Sequence, residues 1–271
     1  MTWEFASPGA FAMAGPTGKI TYQPDGRAVV DARGIYYRQL NEQLRQLVKT
    51  GAKEIDVINV YGQRYLGTSI PEHVKLRIYG TPGNDMAFAM HGPEIEVFGN
   101  AQDGLGNTMD EGEVIVHGSA GDVLAMSMRG GSLWVKGNVG YRCGIHMKEY
   151  GDKVPLVVIG GSCQDFFGEY MAGGSVVLLG LGLAAGETHK AAFMGTGMHA
   201  GRIFVRGTVD PGQVGKEVGL TEPDAAELEQ IRAAVRRYVE LFGGDEAEIM
   251  ATPFVKMYPK SLRPYGRLYA Y

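Results

Sequence analysis

The chain has few cysteines, no basic cluster and no long apolar run, which are features that several classes of protein require. It contains two cysteines in 271 residues, Cys143 and Cys163, and they do not form a CxxC pair. Two separate cysteines are too few for a disulfide framework or a cysteine-rich metal site. The formal net charge is −4 and no cluster of lysine and arginine occurs, so the electrostatic signature of a nucleic-acid-binding protein is missing. The longest apolar stretch, residues 176–185, is short and interrupted by glycines, so it does not predict a membrane-spanning helix.

Motifs that carry known chemistry are missing as well. The sequence contains no GxSxG, no HExxH, no P-loop and no strand-linked Rossmann glycine motif. Its six histidines show no metal-ligand spacing. The first residues lack the basic segment of a signal peptide, and we expect both cysteines to be buried thiols. Together these features predict a soluble, cytoplasmic protein.

Glycine, by contrast, is abundant, and it recurs with a fixed period. Gly80, Gly99, Gly118 and Gly137 are 19 residues apart, and so are Met90, Met109, Met128 and Met147. Each of these glycines ends a short run in which apolar residues alternate with polar ones; the runs cover residues 75–79, 94–98, 113–117 and 132–136. A fixed period of this length indicates stacked supersecondary units.

A 19-residue unit is too short for a strand plus a crossover helix, which needs roughly 30 residues. It is long enough for one coil of a solenoid, in which each strand lies beside its counterpart one period later. We therefore predict an all-β fold, a single-stranded parallel β-helix of about seven to eight coils. It should be right-handed, because parallel crossovers strongly favour that hand. The glycines that close the coils are Gly62, Gly80, Gly99, Gly118, Gly137, Gly160, Gly180 and Gly207.

The flanking segments predict caps for this β-helix. Residues 1–54 should form an N-terminal cap: a loosely structured lead-in at 1–17, a hairpin around 24–26, and a helix of about 16 residues that Asp31 caps. The β-helix itself is assigned to residues 55–207. Residues 208–271 should form a C-terminal helix, opened by a capping box at 221–224 and ending at Phe242, followed by a basic, tyrosine-rich tail. This helix is expected to cover the far end of the solenoid, and the tail to dock along the solenoid or onto a partner.

Two side-chain columns have both a structural and a functional interpretation. The methionines could form a ladder of sulfur ligands for a soft metal, or fill the core. No cysteine or histidine column accompanies them, which favours the core. Four aspartates follow strand-ending glycines, at positions 85, 103, 122 and 165. They could bind calcium or accept hydrogen bonds from turn amides, and the missing GGxGxD spacing favours the second role.

Two longer gaps in the period, at residues 141–150 and 182–197, indicate insertions. Extra residues in solenoid coils map to loops on one face, which is often the face that binds a partner. The first insertion brings Arg142, His146, Lys148 and Glu149 close together in sequence. These four residues, with His199 from the glycine turn at 195–201, are our candidates for a partner interface. The alternatives are a solvated charged loop and a structural histidine.

Several segments resemble the GXGXG domain, the C-terminal β-helix domain of the glutamate synthase large subunit. They are Asn59-Val-Tyr-Gly-Gln-Arg-Tyr-Leu-Gly67 and residues 80–85, 99–109, 137–146 and 195–199. The resemblance covers roughly residues 31–207, and residues 254–260 resemble the tail of that family. It implies a right-handed β-helix without catalytic residues that holds a glutamine amidotransferase domain and an FMN and iron–sulfur synthase domain around an ammonia tunnel.

This sequence has no N-terminal nucleophilic cysteine, flavin barrel or iron–sulfur cysteines, so it resembles the version in which the three parts are separate polypeptides. The resemblance therefore implies a non-catalytic scaffold subunit without activity alone. No cofactor is expected in this chain, while FMN and an iron–sulfur cluster are expected in a partner. The expected partners are a glutamine amidotransferase subunit and an FMN/iron–sulfur synthase subunit, with neither nucleic acid nor membrane.

Other functions stay open, because a fold does not fix a function. The same β-helix occurs in one of the subunits of formylmethanofuran dehydrogenase, in formyltransferase/hydrolase relatives and in N-methylglutamate synthase. A third class is an autonomous β-helix carbohydrate enzyme, for which the aspartate column supplies few acids. Left-handed hexapeptide acyltransferases are disfavoured because 19 residues do not divide into six-residue steps.

Overall fold

A computed structural model of the chain describes residues 18–71, 73–184 and 186–261; the predicted lead-in at 1–17 and the tail from residue 262 lie outside them. The strands are β1 (Lys19–Tyr22), β2 (Ala28–Asp31), β3 (Glu54–Tyr61), β4 (Lys75–Thr81), β5 (Glu94–Phe98), β6 (Glu113–Val116), β7 (Ser132–Val135), β8 (Leu156–Ile159), β9 (Ala172–Leu178), β10 (Ala200–Arg206), β11 (Val218–Thr221) and β12 (Phe254–Pro259). The α-helices are α1 (Tyr37–Lys49), α2 (Ala225–Phe242) and α3 (Glu246–Met250), and Pro211–Gln213 forms a short 3-10 turn. Within the described ranges, no helix combines the length and the apolar character that crossing a bilayer requires.

All twelve strands join one sheet, in the order β1 to β10 and then β12 and β11. Strands β2 to β10 run parallel, and the register follows the sequence period, since Leu76 pairs with Ile95 and Ile95 with Val114. The chain is thus a parallel β-solenoid, as predicted, of about six turns. The expected seven to eight coils were too many. That count rested on glycines, which mark strand ends and not whole turns.

The sheet and the loops enclose one apolar core. Alternate strand residues point into it and form columns along the solenoid, such as Ile78, Val97, Val116, Val135, Ile159, Leu178 and Val205. The four methionines of the repeat are fully buried in the same core, as are Met171 and Met198 in the next coils. The core interpretation of the methionine column is therefore confirmed. Thioether side chains suit this place because they fill irregular gaps between coils.

The strand-ending glycines stack because neighbouring coils approach too closely there for a side chain. A Cβ atom added to Gly118 would lie 2.6 Å from the carbonyl oxygen of Gly99, and one added to Gly137 would lie 3.0 Å from that of Gly118. Neither glycine has a left-handed φ angle. At these positions glycine is required by the close approach of backbone to backbone, and not by a special turn.

Polar side chains next to these glycines join one coil to the next. Asp103 Oδ1 accepts a hydrogen bond from the backbone amide of Asp122 at 2.9 Å, and Asp122 Oδ1 accepts one from Tyr141 at 2.9 Å. Asp165 does the same for Ala192 at 2.8 Å. The predicted role as amide acceptors is confirmed for these three aspartates. The amides they bind belong to the next coil, however, and not to their own turn.

The N-terminal cap agrees with the prediction except at its helix boundary. Strands β1 and β2 form the expected antiparallel hairpin, and Leu40 and Leu44 of α1 are buried in the solenoid core. Asp31 does not cap α1, which begins six residues later with Tyr36 as N-cap. The Asp31 carboxylate instead accepts from the Arg33 amide at 3.0 Å and from Asn59 Nδ2 at 2.9 Å, which binds it to the neighbouring strand.

The prediction that α2 covers the far end of the solenoid was wrong. Strand β12 pairs antiparallel with β10, and β11 pairs with β12, so two strands continue the sheet at that end. Helix α2 lies on the outer face of the sheet instead. There Ile231 and Val235 pack in a second apolar cluster with outward-facing strand residues, namely Ile115, Trp134, Val158, Val177 and Phe204. Strands β6 to β10 therefore carry apolar side chains on both faces of the sheet. The inner face is buried in the core, and the outer face has to be covered by the helix.

The start of α2 was also placed three residues early. Its capping box consists of Asp224 and Glu227, whereas Thr221 is the last residue of β11. The Glu227 carboxylate is buried and accepts hydrogen bonds from the Asp224 amide at 3.0 Å and from Lys256 Nζ at 2.5 Å. Further along the helix, the Tyr238 hydroxyl donates to the Lys136 carbonyl at 3.0 Å, and burial raises the pKa of Tyr238 to about 12. Both contacts fix the helix to the sheet.

Replacing Met109 with Asp is expected to cost several kcal/mol of unfolding free energy, because it buries a charge without a partner. Met109→Leu keeps the volume and should cost less than about 1.5 kcal/mol. Urea denaturation of the two variants measures the difference. Equal midpoints for both would contradict the buried position of residue 109.

Gly118→Ala should destabilise the chain by about 1–3 kcal/mol, because the new methyl group meets the Gly99 carbonyl of the coil below. Gly182 provides the matched control. It has no left-handed φ angle and nothing within 4 Å of an added Cβ. Gly182→Ala should stay within about 0.5 kcal/mol of the unchanged chain. Thermal and chemical unfolding of both variants test the close approach of the two coils.

Candidate functional site

Each coil contains an arc in which every second residue has a left-handed φ angle. In one coil these residues are Arg142, Gly144 and His146, with φ of 55°, 76° and 54°. In the next coil they are Phe166, Gly168 and Tyr170, with φ of 60°, 70° and 51°. In every coil after the first, the arc ends directly before a buried methionine. Left-handed backbone at residues with large side chains is uncommon and costs free energy, so stacking of the coils must hold these residues in place.

The three left-handed positions differ in the side chains they allow. The middle one faces the core, where a Cβ added to Gly106 would lie 2.5 Å from Leu133 Cδ1. In two coils this place holds alanine, Ala87 and Ala125, both completely buried. In contrast, the first and third positions carry side chains as large as Arg142 and Tyr170. The arcs therefore present two outward columns of side chains, and the candidate residues Arg142 and His146 lie in them. The predicted bounds of the first insertion, 141–150, were wrong here, because these two residues belong to the regular repeat and the extra residues lie between Met147 and β8.

The positive charge of Arg142 forms an ion pair within the chain. Its guanidinium pairs with the carboxylate of Glu169 in the next coil and lies over the ring of Phe166 at 4.7 Å. The Glu169 side chain is only 7% exposed, whereas that of Arg142 is 46% exposed. Arg142 thus provides the buried carboxylate with its counter-ion. Next to this pair, Phe166 stacks on Phe193 with the ring centroids 5.1 Å apart, and Phe193 is 56% exposed.

His146 belongs to an aromatic stack one step further along the arc. Its ring lies parallel to that of Tyr170 with the centroids 5.3 Å apart. The Tyr170 ring in turn lies against Gly197 of the following coil, where a Cβ would collide with it. His199 lies beside this stack with Nδ1 3.4 Å from the Gly197 carbonyl oxygen. The structure therefore brings His146 and His199 to the same face, joined by Tyr170 and Gly197.

The remaining two candidates differ from each other. The Glu149 carboxylate accepts a hydrogen bond from the Gly174 amide at 3.0 Å, so it connects two coils. Lys148 is exposed, and its ammonium group has no ion-pair partner among the described residues. Whether any of the five candidates contacts a partner stays a prediction. The structure shows that Arg142 and Glu149 already have partners inside the chain.

Sequence reasoning missed Glu169, Phe166, Tyr170 and Phe193. A signal was available in the sequence, because Met147 and Met171 are 24 residues apart, which is the offset with which β7 and β8 pair. The same offset places Phe166 beside Arg142 and Tyr170 beside His146. The irregular spacing of the coil-closing glycines hid it, since a five-residue loop before β8 interrupts the 19-residue period.

Two cysteines and one histidine with perturbed pKa values are buried in the described part of the chain. Cys143 and Cys163 are both buried, and burial raises the pKa of the Cys143 thiol to about 12. Burial also lowers the pKa of His189 to about 4, so this histidine is neutral near pH 7. Three or more His, Cys, Asp or Glu side chains do not meet in a metal-binding cluster in the part of the chain that the structure describes.

Comparison with known proteins identifies the family. The GXGXG motif family matches residues 37–263, which covers the chain from α1 to β12. The chain belongs to the GXGXG family. An uncharacterized protein of Methanocaldococcus jannaschii, MJ1350, is 45% identical over 249 residues, which are 89% of this chain and 95% of that protein. Membership supports a glutamate-synthase-like association for this GXGXG chain.

Removing Arg142 should cost more stability than removing Glu169. Arg142→Met leaves a buried carboxylate without its counter-ion, with an expected loss of about 1–3 kcal/mol. Glu169→Gln leaves only a half-exposed guanidinium, which water can solvate, and should cost less than about 1 kcal/mol. Chemical denaturation at pH 7 measures both. A larger loss for Glu169→Gln would contradict the assignment of Arg142 as the partner that supports Glu169.

Proposed function

We propose that this GXGXG chain is a non-catalytic scaffold subunit of a glutamate-synthase-type complex. It positions a glutamine amidotransferase subunit against an FMN/iron–sulfur synthase subunit, so that ammonia released from glutamine reaches 2-oxoglutarate without escaping. The observation that carries this proposal is the family match over residues 37–263. The Methanocaldococcus relative supports the separate-subunit form, because the match accounts for 95% of that protein.

The architecture suits such a role for a physical reason. A solenoid whose coils pair through backbone hydrogen bonds and aspartate bridges is rigid along its axis, since each coil is fixed by the coils before and after it. A scaffold must keep two active sites at a constant separation, and a mobile intermediate is retained only if that geometry holds. The FMN and the iron–sulfur cluster belong to the partner subunit in this proposal.

The chemistry of the chain's own side chains is consistent with the scaffold role. A nucleophilic cysteine needs a lowered pKa and access to the substrate. Cys143 is instead completely buried and its pKa is raised to about 12. Two of the ionisable candidates have partners inside the chain: Arg142 pairs with Glu169, and Glu149 accepts a hydrogen bond from a backbone amide. These groups hold the coils together.

Reconstitution tests the proposal. The chain, the amidotransferase subunit and the synthase subunit of the source organism are purified separately, and glutamate formation from 2-oxoglutarate is measured with either glutamine or ammonia. With all three subunits, the glutamine-dependent rate should be at least about tenfold higher than without the chain, because ammonia is then delivered at a fixed distance. The ammonia-dependent rate should be unaffected by the chain.

Three results would overturn the proposal. The first is an unchanged glutamine-dependent rate when the chain is left out. The second is flavin absorbance or glutamine hydrolysis by the isolated chain at stoichiometric level. The third is isolation of the chain from its native source in a formyl-transfer complex, which would replace the proposed assembly by one that uses the same fold.

A further inference from the structure

The residues that directly follow the buried methionines form a column of ionisable side chains along one corner of the solenoid. Its members, in successive coils, are His91, Asp110, Arg129 and Lys148, and His199 lies two coils beyond Lys148. Backbone hydrogen bonds fix the stacking, with the Arg129 amide donating to Met109 O at 2.7 Å and the Lys148 amide to Met128 O at 3.0 Å. Equivalent residues of adjacent coils therefore lie about 4.8 Å apart.

The first half of this column is electrically balanced. His91 Nδ1 lies 2.9 Å from Asp110 Oδ1, and Lys153 Nζ lies 3.2 Å from Glu111 Oε2. The alkyl chain of Lys153 passes over Gly130, so its ammonium group reaches back to these acids. Around His91 and Asp110, each carboxylate therefore has a cationic or histidine neighbour.

The second half is not balanced. Arg129 is half-buried, and its Nε atom is buried without a hydrogen-bond partner. Within the described ranges, neither Arg129 nor Lys148 has a carboxylate, hydroxyl or aromatic partner for its side chain. The exposed Asp152 at the tip of the next turn pairs with neither cation. We call Arg129 and Lys148 the cationic corner.

A guanidinium without an acceptor in the chain keeps its positive charge uncompensated. An outside carboxylate cannot reach the buried Nε atom of Arg129, but it can pair with the part of this half-buried guanidinium that stays accessible. Lys148 beside it gives the corner two positive charges at a spacing of one coil. Most other described arginines that are half-buried have an internal acceptor, such as Glu54 for Arg77 and Glu113 for Arg237. Arg129 thus lacks the acidic partner that these other half-buried arginines have.

We propose that the cationic corner receives an acidic segment of a partner subunit, with one carboxylate on Arg129 and a second on Lys148. This inference rests on the proposed function, since it names the chemistry of the surface that a partner of the scaffold presents. Lys148 follows His146 by two residues, and His199 is a later member of the same column, so the corner adjoins the His146–Tyr170 stack.

Charge and backbone geometry favour a protein carboxylate over other anions. Two cations on a chain of net charge −4 do not provide the extended basic surface that a nucleic acid or an anionic membrane requires. The backbone amides of Arg129 and Lys148 already donate to the preceding coil, so they cannot contribute to the amide cradle that typically binds phosphate.

The test compares charge variants in binding to the separately purified amidotransferase and synthase subunits. Lys148→Glu reverses an exposed charge, and Arg129→Gln/Lys148→Gln removes both charges of the corner. Lys53→Glu is the matched control, because Lys53 is an exposed lysine of the first coil without an ion-pair partner among the described residues. Circular dichroism and melting temperature establish that each variant folds, and surface plasmon resonance at low and high salt gives the dissociation constants.

The proposal expects Lys148→Glu and the double variant to weaken binding to one of the two subunits by about tenfold or more. The salt dependence of that binding should flatten, while Lys53→Glu stays within about twofold. If wild-type chain binds a subunit and the corner variants bind as well as the control, the inference is overturned and the proposed function stands. If wild-type chain binds neither subunit, both are overturned.

A separate arm tests a small anion in place of the protein carboxylates. Inorganic phosphate is titrated into wild-type chain and into the double variant while the melting temperature is recorded. Stabilisation of the wild-type chain alone, together with unchanged subunit binding by the corner variants, would identify a small-anion site. That result would overturn the docking proposal.

Discussion

The structure depends on one constraint: each coil must return to the same place above the coil before it, so that backbone amides and carbonyls pair in register. The 19-residue period of the sequence satisfies this constraint over the central coils. Where coils come closest, as at Gly99 and Gly118, there is room for backbone only. Where they leave irregular space, methionine fills it. Glycine and methionine therefore recur together because both result from the stacking.

The same constraint explains why residues that look chemically active in the sequence already have hydrogen-bond or ion-pair partners within the fold. Stacking one coil on another buries polar groups of both coils, and each of these groups needs a hydrogen-bond partner. Asp103 and Asp122 bind amides of the following coil, Glu149 binds the Gly174 amide, and Arg142 pairs with buried Glu169. What remains for function is the outer surface, where the exposed aromatic rings and the unpaired cations lie. A scaffold acts through such a surface.

On the outer face of the sheet, a local change in composition determines where helix α2 packs. Along one outward column the side chains change from charged, at Asp56, Arg77 and Glu96, to apolar from Ile115 onward. The charged residues of this column form ion pairs, such as that of Arg77 with Asp56, whereas the apolar ones must be covered. Helix α2 therefore lies across the later strands. The break in alternation was visible in the sequence, where Val114-Ile-Val116 and Leu156-Val-Val-Ile159 have consecutive apolar residues, but the helix was predicted at the end of the solenoid instead.

Sequence alone determined the local and periodic properties of this protein. Periodic glycines and methionines, alternating strands and the early hairpin predicted the parallel solenoid, and the glycine-rich segments identified its family. The tertiary structure decided which side chains meet: that Asp31 binds Asn59 and leaves α1 uncapped, that α2 covers a face and not an end, and that Arg129 stays unpaired while Arg142 does not. The physical reason is that period and alternation result from repeated short-range geometry. Contacts between coils depend on the exact offset that each insertion adds, and that offset is fixed only when the whole chain packs.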